Sequence, residues 1–526
     1  MKGIFLMAYL SYHHNKKSGA TYVYSVQSYW DKDRKVARNK QACLGKLDAV
    51  TGEIIPSKRQ KNLPERTQAT PGVTATMQIA GPALILDYLA QETGLDALIK
   101  RCFPAVYAGI MSLVYFIVQK GLPLSRCEFW SMGHIHPFGE HLSSQRVSEL
   151  LFSITDEARQ RFLSLWLEKI IERDYLCYDI TSVSSYSTRN EYVEYGYNRD
   201  GESLPQINLA MLFGQKSRLP AYYRRVQGNI SDVATLTTSL KAMDFIGAKK
   251  MHLVMDRGFF SISNVDELLM RRHHFTIAVP TGRKWVEEII DRHYESIALP
   301  QNYIQINDRE SIYAATTLYK WGQDNRRTYL HVYYNASIAG EAYDDFTNRL
   351  IRCKKQLEAG VRKTESEEFC ARFFVVRETP KRGKRISFND AEIQQYRKRY
   401  AGFFCILSTE IRNASEALRV YRAKDVVENC FDDMKNQMDM KRLRVHSSTA
   451  MDGRLFIQFL ALILICRLRE VIQANEELRN LTVREVMEAM EAFARVTYSG
   501  RYGKLYTEAS PLQRKIMNAF GGPIEA

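Results

Sequence analysis

A chain of 526 residues has room for two to four domains, and a 45% hydrophobic content excludes disordered and fibrous classes. Lys and Arg number 74 against 59 Asp and Glu, giving a net charge of +15, which points to a polyanionic partner such as nucleic acid. The nine cysteines show no Cys-x-x-Cys pair and no Cys/His cluster, which excludes a structural zinc site and suits a reducing cytoplasm.

The opening MKGIFLMAYLSYHH reads as a strand. Residues 21–46 hold two β-rich runs around Asp31-Lys-Asp-Arg34, a hairpin whose return strand carries Lys35, Arg38, Lys40 and Lys46. Residues 47–75 look like a linker, so 1–75 is an N-terminal β-rich segment and a candidate DNA-binding element. Residues 76–173 turn helical and form a second candidate DNA-binding domain. From 174 to 280 the order becomes β-β-β-α-β-α-β, which predicts a mixed sheet flanked by helices. Residues 281–402 interrupt it as an inserted, mostly β domain, and 403–470 resume the core. One helix is expected from about Asn413 through Gln437. The longest apolar run, Phe456–Cys466, is too short for a bilayer and predicts a buried helix, so no membrane partner is expected. Residues 471–526 read as a C-terminal helical region, a candidate for dimerisation.

Chemistry concentrates on three acids. Asp179 ends the first strand of the core and Asp256 the fourth, in LVMDRGF. First and fourth strands of a mixed sheet can lie side by side, and strand ends suit catalytic groups because a rigid scaffold meets a loop there. At about 100° per residue, Tyr421, Lys424, Glu428 and Lys435 share one stripe about 60° wide on the later helix, beside an apolar face. Asp432 is a rival to Glu428, and Asp174 to Asp179. Singly, an Asp after a strand is an ordinary turn residue and a Lys-Glu-Lys stripe an ordinary ion-pair face. Together they are the hard oxygen donors that Mg²⁺ or Mn²⁺ takes. Two such ions about 3.5–4 Å apart activate an attacking oxygen and stabilise a leaving one. Asp179 would bridge them, with Asp256 and Glu428 on either side. Arg189, Asn190, Arg199, Arg224 and Arg225 fall on or near the same sheet as candidate phosphate contacts. His13, His14, His134 and His136 fall short of a metal set.

These motifs carry a resemblance. YDITSVSSYS, VMDRGFFS, the spacing Tyr421-x-x-Lys424-x-x-x-Glu428-x6-Lys435, and RLRVHS at 442–447 resemble DDE transposases of bacterial insertion sequences. The likeness runs from about 20 to 470 and is to the insertion sequence 4 group, its insertion sequence 1634 branch in particular. It implies an RNase H-like catalytic domain and Mg²⁺-dependent nicking at transposon ends, followed by 3′-hydroxyl attack on target DNA by a homodimer on paired ends. It also implies that Tyr421, Lys424 and Lys435 grip the terminal phosphates. Lys424 replaces the group's Arg, giving a point charge for a planar fork, and Arg422 is misplaced by angle to substitute. Trp285 and Trp321 are candidates for stacking on a flipped base, as in some relatives. The competing readings are a nuclease or resolvase that cuts without joining, and a domesticated DNA-binding protein.

Overall fold

The computed structural model describes residues 8–31, 36–49, 51–56, 75–171, 175–187, 190–245, 250–308, 310–361, 365–379, 383–397, 400–443, 445, 447–499 and 503–521. The chain divides into two compact units, one of residues 1–76 with 497–504, the other of the remainder.

In the first unit, β1 (Ala8–Asn15), β2 (Ala20–Asp31), β3 (Val36–Leu47) and β4 (Ile54–Pro56) form an antiparallel meander in sequence order. Its buried apolar side chains are few, among them Val23 and Val26, so one thin face carries the packing. Arg38, Lys40 and Lys46 lie exposed on β3, and Lys35 falls outside the described residues.

The second unit follows β5 (Ala75–Ile79) with α1 (Gly81–Glu92), α2 (Leu95–Cys102), α3 (Tyr107–Lys120), α4 (Cys127–Gly133), α5 (Ser144–Ser153) and α6 (Asp156–Ile171). The core strands and helices come next: β6 (Tyr175–Ser185), β7 (Gln206–Gly214), β8 (Pro220–Gln227), α7 (Asp232–Phe245), β9 (His252–Met255), α8 (Ile262–Met270) and β10 (His274–Val279). This is the β-β-β-α-β-α-β order that the apolar runs predict. β6, β7 and β8 pair antiparallel, while β9 lies parallel to β6 and β10 parallel to β9, giving the spatial order β8-β7-β6-β9-β10.

Residues 281–402 behave differently from the expected inserted, mostly β domain. After α9 (Lys284–His293), β11 (Tyr303–Gln305), β12 (Ser311–Trp321) and β13 (Arg326–Tyr334) extend the main sheet. They reach it through β16 (Phe403–Ser408), which pairs with β10 on one edge and β13 on the other. The remainder is largely helical: α10 (Ala336–Ala359), α11 (Glu367–Phe373), the hairpin β14 (Phe374–Thr379) and β15 (Gly383–Phe388), and α12 (Asp390–Arg397). That part buries its own small cluster around Phe346, Cys353, Cys370 and Phe373. A strand with two free edges recruits partners on both, so the β segments joined the core sheet and left the helices outside it.

The expected single helix of 413–437 is two: α13 (Ala414–Arg422) and α14 (Asp425–Asn436). Between them the backbone tightens to i→i+3 bonds, from Lys424 N–H to the Tyr421 carbonyl (3.2 Å) and from Val427 N–H to the Lys424 carbonyl (2.8 Å). α13 packs on the β9–β16 part of the sheet, whereas α14 packs on β6 and on α15 (Ser448–Ala474). β17 (Arg442–Leu443) lies between these last two helices in the chain. α15 is the expected buried helix, lined by Phe456, Phe459, Leu460 and Ile463. Among the described residues no single helix is long and apolar enough to cross a membrane. α16 (Val483–Glu491), β18 (Ala494–Tyr498), β19 (Lys504–Tyr506) and α17 (Pro511–Ala519) complete the chain.

Candidate active site

The site begins with strand register. β6 and β9 pair Tyr175 with His252 through Tyr178 with Met255, so the next step of the register sets Asp179 beside Asp256. β9 stops at Met255, and β17 takes up the same side of β6 only at Ser184 and Ser185. Among the described residues, positions 179–183 of β6 therefore have no strand partner on that side, and the sheet opens there. The Asp256 side chain, 50% exposed, faces a cleft of about 730 Å³ that also reaches Thr281, Phe403 and Tyr421.

The two acids differ in electrostatic setting. Burial pushes Asp179 up to about 6. Opposing that are the Ile180 N–H, which donates to its carboxylate at 2.8 Å, and the charges of Arg199 and Lys424. Asp256 also feels burial pushing it up, but its donors win and hold it below the usual carboxylate range. The Tyr421 hydroxyl donates to its Oδ1 at 2.6 Å, the Arg257 N–H donates as well, and Lys424 and Arg257 add positive charge.

Lys424 links the acids. Its Nζ lies 3.3 Å from Glu428 Oε1 and 3.9 Å from Asp256 Oδ1, and sits over the Tyr421 ring at 5.7 Å. Burial disfavours its charge, yet Asp256, Glu428 and Asp179 together raise its pKa. Glu428 is the most open of the three acids, with its side chain 62% exposed. Among the described residues no three acids, imidazoles or thiols lie together as a ready metal set. Asp432 is exposed and makes no ion pair among the described residues, while neighbouring Asp433 is buried against Arg469 and Gln437. Asp174 lies outside the described residues.

The remaining expected contacts scatter. Lys435 leaves the Lys424 stripe and pairs with Asp200 at 2.7 Å, its side chain only 11% exposed. Arg199 pairs with Asp232 at 2.5 Å. Asp232 carries no motif, yet its Oδ2 lies 3.3 Å from where a Cβ on Gly258 would stand, so it lines the turn after Asp256. Arg225 pairs with Asp452 at 2.8 Å and stacks over Tyr192 at 3.6 Å. Arg189 lies outside the described residues. Trp321 is 5% exposed and donates from Nε1 to Asp266 at 2.7 Å, so it is a packing residue in this structure rather than an open stacking platform. Trp285 is stacked on Tyr319, with ring centroids 4.5 Å apart.

Comparison with known proteins gives three findings. The family model described as transposase DDE domain matches residues 172–464, more than half of the 526-residue chain. No curated protein matches. Among solved structures, the chain is similar to a piggyBac transposase in its synaptic complex with hairpin DNA. That match has 11% identity and a TM-score of 0.36, covering 84% of this chain and 76% of that one.

Proposed function

The chain belongs to the DDE transposase family, and from that premise we propose that it cuts DNA at the ends of an insertion sequence and joins their 3′-hydroxyls to target DNA. The observation that carries this reading is the placement of Asp179 and Asp256 side by side at the opening in the sheet, with Lys424 tying Asp256 to Glu428. The catalytic core is read as RNase H-like on the order β8-β7-β6-β9-β10, three antiparallel strands followed by two parallel ones. The insertion sequence 4 group and its 1634 branch rest on the Tyr421, Lys424, Glu428 and Lys435 spacing.

Asp179, Asp256 and Glu428 would hold two Mg²⁺ or Mn²⁺ ions. The donor set is all carboxylate, which suits hard cations, and the half-buried Asp179, pushed up by desolvation, gains from any positive charge beside it. Lys424 already compensates the same three groups. Glu428, the most exposed of the three, is the ligand that would have to close. When bound, such ions polarise phosphoryl oxygens and lower the pKa of a bound water or hydroxyl. The chain's own residues orient the acids: Tyr421 and the Arg257 N–H fix Asp256, and the Ile180 N–H fixes Asp179. Lys424 is the proposed phosphate contact beside the acids, and Lys435, Arg199 and Arg225 would join it only by leaving their pairs with Asp200, Asp232 and Asp452. The working form is proposed to be a homodimer on paired ends, acting at DNA in the bacterial cytoplasm.

The test is cleavage and joining, in Mg²⁺, of a duplex carrying the sequences found immediately on either side of the gene, which the reading expects to be inverted repeats. Wild type should nick the end and transfer its 3′-hydroxyl to plasmid DNA. Asp179→Asn, Asp256→Asn and Glu428→Gln should each abolish both steps. Cutting by Asp256→Asn would overturn the site, and cutting without joining by wild type would make the protein a nuclease.

A further inference from the structure

The connection from β6 to β7 contains the run Asn198-Arg199-Asp200-Gly201-Glu202, and each of its three charged side chains meets a different element around the opening in the sheet. Arg199 reaches Asp232 at the start of α7, at 2.5 Å. Asp200 reaches Lys435 on α14, at 2.7 Å. Glu202 reaches Arg442 on β17, at 2.9 Å. The run is itself held in shape. The Asn198 side chain accepts from the N–H groups of Asp200 (2.8 Å) and Glu202 (3.3 Å) and donates to Ser184 at 3.1 Å, and Gly201 turns the chain at φ +70. Neighbouring side chains of β6 point to opposite faces. On one face the Tyr178 hydroxyl meets Ser239 of α7, and on the other Asp179 feels the charge of Lys424, where α14 begins. The run therefore ties down elements on both faces of β6.

The tie to α14 bears on the acids. Glu428 stands on α14, and the break at Ala423 and Lys424 removes the stiffness that one continuous helix would pass on from α13. Lys424 meets Glu428 at 3.3 Å but stands 3.9 Å from Asp256, too far for a firm hydrogen bond across the gap. On its other side α14 is anchored to α15, where buried Asp433 meets Arg469. Asp433 lies about 140° around the helix from Glu428, so it leaves the acid's own face unrestrained. Lys435 follows Glu428 by seven residues, about 20° short of two full turns and about 10 Å along the axis. Both side chains thus leave the same face of α14. The Lys435 side chain is only 11% exposed, so its pairing with Asp200 is weakly screened, and loss of either partner leaves the other uncompensated.

We propose that Asp200 is a positioning residue for Glu428: through Lys435 it holds α14 in the orientation that keeps Glu428 beside Asp256. The role of Glu428 rests on the transposase reading, but the clamp is a property of α14 and is measurable without turnover. It gives Lys435 a task inside the protein, distinct from a grip on phosphate. It also explains why an acid sits beside a lysine on the face that would meet DNA.

Hydrogen exchange of the full chain without DNA, read on peptides covering α14 and α15, compares wild type with Asp200→Asn and Asp200→Glu. Asp200→Asn should speed exchange in α14 about fivefold or more and leave α15 unchanged, while Asp200→Glu, which keeps the charge, should stay within about twofold of wild type. Unchanged α14 exchange in Asp200→Asn overturns the clamp. Single-turnover nicking in a Mg²⁺ series then tests the consequence for Glu428. The half-saturating Mg²⁺ concentration should rise about tenfold in Asp200→Asn, with excess Mg²⁺ recovering most of the rate and Asp200→Glu again resembling wild type. A lower rate at every Mg²⁺ concentration, with half-saturation unchanged, is a general structural loss and overturns the positioning role. Tighter duplex binding with undiminished nicking overturns it too, because Asp200 then only masks Lys435. Absence of nicking by wild type refutes the transposase reading alone, since exchange still decides whether Asp200 holds α14.

Discussion

Tyr421→Phe removes a single oxygen from the site, the hydroxyl that donates to Asp256 at 2.6 Å. Hydrogen bonds to charged groups contribute about 1.5–3 kcal/mol to stability. The Asp256 side chain is 50% exposed, so water replaces part of that bond, and about 1–1.5 kcal/mol is the fitting range. In rate this is about a five- to tenfold loss of nicking at pH 8. The pH dependence separates this role from simple packing. Tyr421 is one of the donors holding Asp256 below the usual carboxylate range, so without it the carboxylate binds a proton at higher pH. Activity carried by the ionised form is lost as pH falls, and in Tyr421→Phe the loss should begin at higher pH than in wild type. Because about 1–1.5 kcal/mol is about one pKa unit, single-turnover nicking followed down to about pH 4 should show the ratio of wild type to variant growing toward acid. A ratio that is flat in pH, or that shrinks toward acid, would refute the claim that Tyr421 acts through the charge on Asp256.

Further consequences are open to measurement. Glu428→Gln should abolish nicking while Asp432→Asn leaves it within about twofold, since only Glu428 meets Lys424; the reverse pattern would hand the role to Asp432. Gly121 ends α3 at φ +56, and a Cβ there would stand 1.9 Å from the Gln437 carbonyl oxygen just after α14. Gly121→Ala combines left-handed strain with backbone overlap, so denaturant titration should show a loss of about 3 kcal/mol or more. His331 is fully buried, with Nε2 on the Ile411 carbonyl and Nδ1 on Thr316, and burial pushes its pKa down from 6.5 to about 4. The unfolded chain takes up that proton below pH 6.5 and the folded chain does not, so this contribution is complete above 6.5 and declines as pH falls toward 4. Between pH 7 and 5 the loss should be about 2 kcal/mol, and His331→Asn should flatten that part of the slope.

Much of the centre was legible because it follows from local rules. The β-β-β-α-β-α-β order makes the first and fourth strands neighbours, as β6 and β9 are. Asp179, however, does not end its strand as the apolar run suggests: β6 continues to Ser185, paired with β7, and Asp179 sits in its middle because only β9 stops beside it. The break at Ala423 and Lys424 was not legible. No Gly or Pro marks it, and every residue from Arg422 to Val426 tolerates a helix. The interruption comes from docking, because α13 and α14 rest on different surfaces. Trp321 shows a related limit. An alternating strand gives no sign of which Trp is buried, and the partner of its N–H, Asp266, lies 55 residues away on α8. Charge was the least readable property. Arg199 and Lys435 read as free cations in sequence, but they meet Asp232 and Asp200, 33 and 235 residues distant.

The break between α13 and α14 also gives a lysine at position 424 a physical reason. On one continuous helix, Tyr421 and Glu428 would point along a common stripe and could not both be used where they are. With the break, Tyr421 reaches Asp256 from α13 while Glu428 stays on α14, and Lys424 sits at the joint as the residue that precedes α14. Its ammonium meets Glu428 at 3.3 Å and Asp256 at 3.9 Å, and it also feels Asp179. A compact, rotatable point charge can serve acids that approach from several directions. A planar guanidinium is best matched to one carboxylate taken two-pronged. At this joint an arginine would pair well with one acid and leave the others less compensated, with the half-buried Asp179, the acid that desolvation raises, most affected. Lys424→Arg should therefore fold normally and yet raise the pH at which the acids lose their charge, which makes the residue at the helix break a determinant of the site's electrostatics.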